Sequence, residues 1–242
     1  VGTPIGHLGD VTLRALETLR AADGVLAEDT RITLRLLARY EIRAPLWSCH
    51  KFREASRVEE VLARIRAGGV VALVSDSGMP GVSDPGARIV AACRAAGLPV
   101  TAIPGPSAVT AAVALSGFEG AGFHFGGFLP RKSGARARRL AELAAGSDPV
   151  VLFESPFRFL RLLDEIETYL PGRRVFAARE LTKRFEELRL GTPAELRAAY
   201  AGRAIRGEFT IVIEPAARRS GARTAESDEA GGETEPPTAS ED

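Results

Sequence analysis

The sequence predicts an α/β protein made of two domains in tandem. Short apolar runs alternate with amphipathic helical patterns over the first 215 residues, which is typical of strands joined by helical crossovers. Three Gly/Pro-rich loops follow predicted strands in the first half of the chain. With 242 residues, of which 45% are hydrophobic, the chain can bury one large core or two smaller ones.

The first domain is predicted over residues 1–116. Its helices are expected where apolar residues recur at helical spacing, and Asp10 is placed to cap the first of them. Gly97 ends one helix, and the Pro104-Gly-Pro-Ser107 turn opens the next. This alternation indicates a largely parallel sheet. The expected helices are 11–19, 33–39, 55–67, 87–96 and 107–115, and the expected strands are 25–27, one around residue 46, 70–74 and 99–103.

The second domain is predicted over residues 117–215, because the strand and helix rhythm restarts after the Gly-rich stretch 117–122. Residues 216–242 are polar, acidic and rich in Pro and Gly, so we expect a disordered tail. The expected strands are 123–128, 150–153, 175–178, 187–190 and 209–213, and the expected helices are 134–144, 157–170 and 193–200.

The net charge of +1 hides an uneven distribution. Residues 220–242 hold seven acids and one base, which leaves 31 bases against 24 acids, about +7, on the first 219 residues. Most of these bases are arginines, which suit bidentate phosphate contacts, so a nucleic-acid partner is compatible with the charge. Arg-rich composition can also reflect genome bias.

Composition also limits the compartment and the class of protein. Two cysteines, without other ligands at metal-binding spacing, indicate neither a disulfide framework nor a structural metal site. No apolar run is long enough to span a membrane, and no secretory pattern opens the chain. We therefore expect a cytoplasmic protein. Because the chain starts at Val1 without a methionine, we also expect preceding residues that extend its first strand.

The three Gly/Pro loops cover residues 2–10, 75–86 and 104–107. Loops that follow neighbouring strands of such a sheet meet at one edge, where ligands usually bind. None of them matches a P-loop or a dinucleotide fingerprint, and the first has no lysine nearby. The loop 75–86 can be read as an elaborate strand-to-helix turn or as a wall of a pocket.

Eight motifs occur in a fixed order along the chain, and together they form a highly specific pattern. They are Gly2-Thr-Pro-Ile-Gly-His-Leu-Gly-Asp10, Ala27-Glu-Asp-Thr-Arg31, Val74-Ser-Asp-Ser-Gly-Met-Pro-Gly-Val-Ser-Asp-Pro-Gly86, Pro104-Gly-Pro-Ser-Ala108, Gly127-Phe-Leu-Pro-Arg-Lys132, Phe153-Glu-Ser-Pro-Phe-Arg158, Ala178-Arg-Glu-Leu-Thr-Lys183 and Gly207-Glu-Phe-Thr210. Over residues 1–215 the chain resembles the small-subunit ribosomal RNA methyltransferase I family, which has the tetrapyrrole methylase fold.

This resemblance implies 2′-O-methylation of a cytidine in the decoding region of 16S rRNA, with S-adenosylmethionine as the methyl donor. It also implies a homodimer of two-domain subunits that act on the small ribosomal subunit, and a cofactor cleft between the domains. The residues expected against the cofactor are Pro4, Asp76, Ser77, Gly78, Gly81, Ser107 and Ala108. For Pro4 and Gly81 the alternative is simple turn geometry, and for Ser107 it is a helix N-cap.

A ribose hydroxyl is a poor nucleophile, so a base or a cation near its oxygen would help the reaction. Lys183, Glu180 and Arg179 follow a predicted strand of the second domain, and we predict that they form the acceptor side. Their alternative is a charged turn with a surface ion pair. Other ionisable groups in the motifs are Glu28, Asp29, Arg31, Glu154 and Arg158, and the first two can instead be helix-capping acids.

The residues expected to contact RNA are basic and lie in or beside the motifs: Arg31, Arg131, Lys132, Arg136 and Arg158. The alternative for the cluster at 131–139 is a solvated helix face. The chain departs from the family at Phe157, where His is common, and at His7 and Met79, where Asn and Thr are usual. An imidazole at position 157 therefore cannot be an essential base here, and His50 is expected to be structural.

Three other functions are compatible with parts of the sequence. A methyltransferase of the same fold could act on a tetrapyrrole or a protein, although relatives acting on tetrapyrroles usually carry a different first loop. The acids Glu28, Asp29, Asp76 and Asp84 could serve a Mg²⁺-dependent nucleotide hydrolase. A ribosome-assembly protein without catalysis is the third.

Overall fold

The computed structural model describes residues 1–49 and 54–216. Two sheets, one in each half of this part of the chain, are covered by helices, as the α/β prediction requires. His50 and almost all of the predicted tail lie outside the described residues. None of the helices in the two described stretches is both long enough and apolar enough to cross a membrane.

The first half carries a parallel sheet of three strands in the order β2-β1-β3. Val25 lies between Leu46 and Ala72 in the register, so the central strand is buried on both sides. The elements are α1 (Leu13–Ala21), β1 (Gly24–Ala27), α2 (Thr30–Arg39), β2 (Leu46–Ser48), α3 (Glu54–Arg66), β3 (Val71–Val74), α4 (Ala87–Ala95) and α5 (Ala108–Ser116), preceded by a 3-10 turn at Leu8–Asp10.

The caps at the first two helices differ from expectation. Asp10 was expected to cap the first helix, but it ends the 3-10 turn, and the Thr12 hydroxyl instead accepts the N–H of Ala15 at 3.1 Å. The next helix begins three residues earlier than predicted. Asp29 explains this extension, because its carboxylate accepts the N–H of Arg31 at 2.9 Å and satisfies the first turn. The capping alternative for Asp29 is thus confirmed.

The predicted strand over 99–103 is wrong in the described structure. Pro99, at the start of this stretch, and Pro104, directly after it, have no N–H to donate to a ladder, which disfavours a regular strand here. It lies beside the start of the chain through one hydrogen bond, from the N–H of Gly2 to the carbonyl of Ile103 at 2.8 Å. On its other side, the same start is tied to Gly78 by a reciprocal pair of backbone bonds through Thr3, at 2.9 and 3.2 Å.

The second half carries a mixed sheet of five strands in the order β4-β5-β8-β6-β7. Only the β4–β5 pair is parallel within this sheet, and the β5–β8, β8–β6 and β6–β7 pairs are antiparallel. The elements are β4 (His124–Phe128), α6 (Ser133–Ala144), β5 (Val150–Glu154), α7 (Phe159–Tyr169), β6 (Val175–Arg179), β7 (Glu187–Gly191), α8 (Pro193–Tyr200) and β8 (Phe209–Ile213).

Both faces of the second sheet are buried at its central strand β8, so all five residues of Phe209–Ile213 are buried and all but Thr210 are apolar. On one face, side chains of α6, α7 and α8 pack against the sheet around a stack of Phe159 on Phe209. On the other face lies α5, whose Val109 and Ala112 contact a cluster with Val212. This apolar cluster therefore joins a helix from residues 1–116 to the sheet of residues 117–215.

Candidate functional site

A cavity of about 530 Å³ opens between the two halves of the described chain. This volume lies within the range of small-molecule sites. Its first wall comes from the ends of β1 and β3, the loop after β3 and the start of α5. Its second wall comes from the ends of β4, β5 and β6 and the start of β8. The first wall holds Ile5, Glu28, residues 76–79, 82–84 and 107–109, and the second holds Phe128, residues 153–156, Ala178, Glu180, Leu181, Lys183 and residues 208–210.

The loop after β3 is held against the start of the chain. The buried Thr3 hydroxyl donates to the carbonyl of Ser75 at 3.1 Å, next to the reciprocal backbone bonds with Gly78. Gly78 has a φ of +79°, which glycine adopts without strain. The Asp76 carboxylate accepts the N–H of Asp29 at 2.8 Å and is thereby oriented at the cavity wall.

Glu54 anchors the far end of this loop, a role that the sequence alone does not reveal. Its carboxylate is buried at the start of α4 and accepts the N–H groups of Gly86 and Arg88 at 3.0 and 2.8 Å. A carboxylate at a helix N-terminus satisfies donors that have no partner within the helix. The residue is 32 positions away in sequence and outside the eight motifs, so local spacing carries no signal for it.

On the opposite wall, Lys183 is held between two carboxylates. Its Nζ donates to Glu180 Oε1 and to Glu208 Oε2, both at 2.9 Å. Glu180 also accepts the N–H of Glu208 at 2.9 Å, which joins the loop after β6 to the start of β8. Glu208 belongs to the motif Gly207-Glu-Phe-Thr210 but was not singled out from the sequence.

These contacts fix the charges of Lys183 and Glu180. Burial works against the ammonium, but the hydrogen bonds and charges of Glu180 and Glu208 raise the pKa of Lys183 above its ordinary value. Burial likewise disfavours the carboxylate of Glu180, yet its bonds with Lys183 and with the Glu208 N–H lower its pKa. Lys183 is therefore an ammonium and Glu180 a carboxylate at neutral pH.

Asp84, on the first wall of the cavity, differs from Glu180 in the direction of its pKa shift. Burial raises the pKa of its carboxyl group, the negative charges of Asp76 and Glu208 act in the same direction, and a hydrogen bond with Ser75 opposes them. The lining holds the acids Glu28, Asp76, Asp84, Glu154, Glu180 and Glu208 against one lysine. Such a wall favours a ligand that carries positive charge.

Backbone conformation is unusual around the cavity. Four non-glycine residues have a positive φ in the described chain, and three of them lie here: Ser83 at 68°, Glu180 at 53° and Thr182 at 62°. Residues are held in this way only where surrounding contacts over-determine them, which is common at functional sites. The loop at 180–183 is fixed from the first half of the chain, because the Thr182 hydroxyl accepts the N–H of His7 at 3.0 Å.

Two glycines permit this close approach. A Cβ on Gly6 would lie 2.5 Å from Lys183 Cγ and 2.8 Å from the carbonyl oxygen of Leu181. A Cβ on Gly207 would lie 2.3 Å from Glu180 Cγ. Both distances are far below van der Waals contact, so the loops around Lys183 pack only because these positions lack side chains.

The third predicted acceptor-side residue, Arg179, does not line the cavity. Its Nε donates to Glu187 Oε2 at 3.0 Å, and Arg189 and Arg203 bind the other carboxylate oxygen at 2.6 and 3.2 Å. Burial opposes ionisation of Glu187, but these three guanidinium groups lower its pKa to about 2. Arg179 thus forms an ion pair, as its alternative held, but at the end of β6 and largely buried rather than on a surface turn.

The expectation that Arg136 contacts RNA is wrong. Its side chain is 0% exposed and binds Glu154 and Glu165, at 3.1 and 2.7 Å for the closest atoms. A buried guanidinium paired with two carboxylates cannot also reach a phosphate. The sequence prediction grouped it with the basic cluster at 131–139, but its side chain is on the inward face of α6. Arg158 is partly exposed and donates to Glu154 Oε1 at 2.7 Å.

The other predicted RNA-binding residues are exposed. Arg131 and Lys132 lie between β4 and α6, and Arg31 lies at the start of α2 with its guanidinium paired to Asp29 at 2.5 Å. RNA contact by these residues stays a prediction.

Of the residues expected against a cofactor, five line the cavity: Asp76, Ser77, Gly78, Ser107 and Ala108. Pro4 and Gly81 are not in its lining. Gly81 shapes the loop, with a φ of +81° and an N–H that donates to the carbonyl of Pro85 at 3.1 Å. Ser107 occupies the N-cap position of α5 without a capping bond from its hydroxyl. Within residues 1–49 and 54–216, no three His, Cys, Asp or Glu side chains are grouped to hold a metal ion.

Comparison with known proteins agrees with this architecture. Residues 1–197 match the family model of the tetrapyrrole (corrin/porphyrin) methylases. The ribosomal RNA small subunit methyltransferase I of Thermotoga maritima is 46% identical over 213 residues, which cover 88% of this chain and 96% of that protein.

Two solved structures show the same fold at low identity. A cobalt precorrin-4 methyltransferase is 20% identical, with a TM-score of 0.67 and coverage of 88% of this chain and 92% of the other. The uroporphyrin-III C-methyltransferase of Thermus thermophilus, solved in complex with S-adenosylhomocysteine, is 20% identical with a TM-score of 0.62, covering 88% and 95% of the two chains. The chain belongs to the ribosomal RNA small subunit methyltransferase I family, within the tetrapyrrole methylases.

Proposed function

We propose that this protein transfers a methyl group from S-adenosylmethionine to the ribose 2′-oxygen of a cytidine in the decoding region of 16S rRNA. One observation carries the proposal: a single cavity joins the Gly-rich loop after β3 to the Lys183 cluster across from it. Relatives that are 40–46% identical over most of the chain are named as methyltransferases of small-subunit ribosomal RNA.

The donor side suits S-adenosylmethionine by shape and charge. Residues 76–78, Ser107 and Ala108 would hold the cofactor, because glycine and small side chains let backbone groups approach an adenosyl moiety closely. The acidic lining favours the positively charged sulfonium. When bound, S-adenosylmethionine supplies a methyl group that an oxygen nucleophile can accept in an in-line displacement.

The acceptor side is built around the Lys183 ammonium. Because its pKa is raised, this group donates a hydrogen bond rather than removing a proton. Directed at the ribose oxygen, the ammonium would orient the hydroxyl and stabilise the negative charge that develops as its proton passes to solvent water; the O–CH3 bond would form as the S–CH3 bond of the donor breaks. Glu180 and Glu208 hold the ammonium in place, so positioning supplies a large part of the acceleration.

Recognition of RNA is assigned to the exposed basic side chains of Arg131 and Lys132 in the loop after β4, together with Arg158 and Arg31. Phosphate contacts of this kind position a substrate and give salt-dependent affinity. We also propose a cytoplasmic homodimer as the active form, in accordance with the resemblance of the sequence.

The proposal is tested by incubating the protein with S-adenosylmethionine labelled in its methyl group and with small ribosomal subunits from a strain that lacks the gene. We expect label in the deproteinised 16S rRNA. Subunits that already carry the modification are the matched control and should accept none. Label confined to ribosomal proteins, or no label on competent subunits, would contradict the proposal.

A further inference from the structure

The side chain of Phe157 is 93% exposed, more than any other large hydrophobic residue in the described chain. It lies in a tight turn that leads from β5 into α7. The turn is closed by the N–H of Arg158, which donates to the carbonyl of Ser155 at 3.1 Å. Phe157 is thus the third residue of a four-residue turn, and its ring extends into solvent.

The turn is held in place by contacts with a buried carboxylate at its base. Glu154, at its base, is 1% exposed, and one of its oxygens accepts both the N–H of Ser155 at 2.8 Å and the Nε of Arg158 at 2.7 Å. Its other oxygen is bound by the buried Arg136. An aromatic ring that is exposed on a fixed support is already ordered before it contacts anything, which reduces the entropic cost of binding.

This turn stands at the mouth of the cavity. Ser155 and Pro156, the two residues before Phe157, are part of the lining, as is Phe128 at the end of the neighbouring strand. Because β4 and β5 run parallel, the loops after them leave the same edge of the sheet, and the first carries exposed Arg131 and Lys132. Neither the Arg131 nor the Lys132 side chain forms an ion pair with any residue of the described chain.

We propose that Phe157 is a stacking platform for an unpaired base of the RNA, adjacent to the nucleotide whose ribose enters the cavity. This inference rests on the function proposed above. Proteins that bind splayed RNA strands combine exposed aromatic rings with basic groups, because bases stack on the rings and phosphates contact the charges. The mouth of this cavity offers both, and the nearby basic side chains favour RNA over a second copy of the chain.

The test compares Phe157→Ala, Phe157→Leu and Phe157→Trp in the methylation assay with undermethylated small subunits. Phe157→Ala removes one stacking contact with an RNA base, so we expect the KM for small subunits to rise about 5- to 150-fold. Phe157→Leu, which is apolar but cannot stack, should show most of this rise, and Phe157→Trp should restore a KM close to that of the wild type. The affinity for S-adenosylmethionine should not change in any of them.

Tyr169→Ala is the matched control, since Tyr169 is an exposed aromatic residue at the opposite end of α7. Its KM should stay that of the wild type. Three results would overturn the inference: an unchanged KM in Phe157→Ala, a wild-type KM in Phe157→Leu, or an altered mass of Phe157→Ala in light scattering, which would place the ring between two copies. A wild-type enzyme that methylates no subunit RNA would instead overturn the proposed function, and this inference with it.

Discussion

At the scale of single residues, the site is defined by how charges are paired. Lys183 lies between two carboxylates, and both of them are themselves fixed by the loops after β6 and before β8. An ammonium in this setting is a fixed donor. The same loop region shows the opposite use of charge at Glu187, where three guanidinium groups surround one carboxylate outside the cavity.

Replacing Lys183 should therefore affect turnover and leave the donor side intact. We expect Lys183→Ala to lower kcat about 10²- to 10³-fold, as when one donor to a developing oxyanion is removed. The affinity for S-adenosylmethionine, measured by calorimetry, should stay within about twofold. Arg14→Ala, on the exposed surface of α1, serves as the control for loss of one positive charge. Unchanged turnover in Lys183→Ala would remove this residue from the mechanism.

Glu187 should make stability depend on pH at the acid side. Its pKa is about 2 in the folded protein against an ordinary value of 4.5, so its contribution is complete above pH 4.5 and is lost as the pH falls towards 2. We expect Glu187→Gln to cost about 1–3 kcal/mol of unfolding free energy at pH 7, and the difference from wild type to shrink in acid. Urea unfolding across this pH range measures it, with Glu59→Gln on exposed α3 as the control. A difference that stays constant with pH would contradict the assignment.

At the scale of elements, the cavity is positioned by loops that are tied to distant parts of the chain. The loop 75–86 is fixed at its start by Thr3 and at its end by Glu54. The loop 180–183 is fixed by the first loop of the chain, through His7 and the space left by Gly6. Both walls therefore depend on contacts between segments that are remote in sequence.

Loss of the Glu54 carboxylate should loosen the cofactor wall. Glu54→Ala leaves the first N–H groups of α4 without their buried acceptor, which predicts a loss of about 1–3 kcal/mol in unfolding free energy. We also expect weaker binding of S-adenosylmethionine with little change in kcat at saturation. Glu59→Ala, on the exposed face of the same helix, should behave as wild type. Full cofactor affinity in a destabilised Glu54→Ala would show that the anchor does not shape the site.

Gly6→Ala tests the docking of the two loops. The added Cβ would meet Lys183, Thr182 and the backbone of Leu181 at 2.5–2.8 Å, so one loop must move. We expect a fall in kcat of at least about tenfold, because a small displacement of a positioned group is costly. Gly122→Ala, where a Cβ meets nothing within 4 Å, is the control. If the two variants are equally active, the close approach at Gly6 is not needed for catalysis.

At the scale of the whole molecule, periodicity and turn chemistry predicted most elements within a few residues, including Phe209–Ile213 and Pro193–Tyr200 as the structure has them. The motifs identified five cavity residues of the donor side and two of the acceptor side, because Gly/Pro loops and charges after strands are local signals. Local signals could not reveal partners remote in sequence. Arg136 is buried and paired with Glu154 and Glu165, and Arg179 is paired with Glu187. These partners come together only when the chain folds.

In the proposed reaction, the ribose 2′-oxygen of the cytidine receives the methyl group. The most direct measurement is a single-turnover reaction on undermethylated small subunits, followed by digestion of the 16S rRNA to nucleosides and mass spectrometry. We expect 2′-O-methylcytidine, with the added methyl mass on the ribose fragment and its formation slowed by Lys183→Ala. A methyl group on a base, or on a nucleoside other than cytidine, would contradict the assignment of this cavity to ribose 2′-O-methylation.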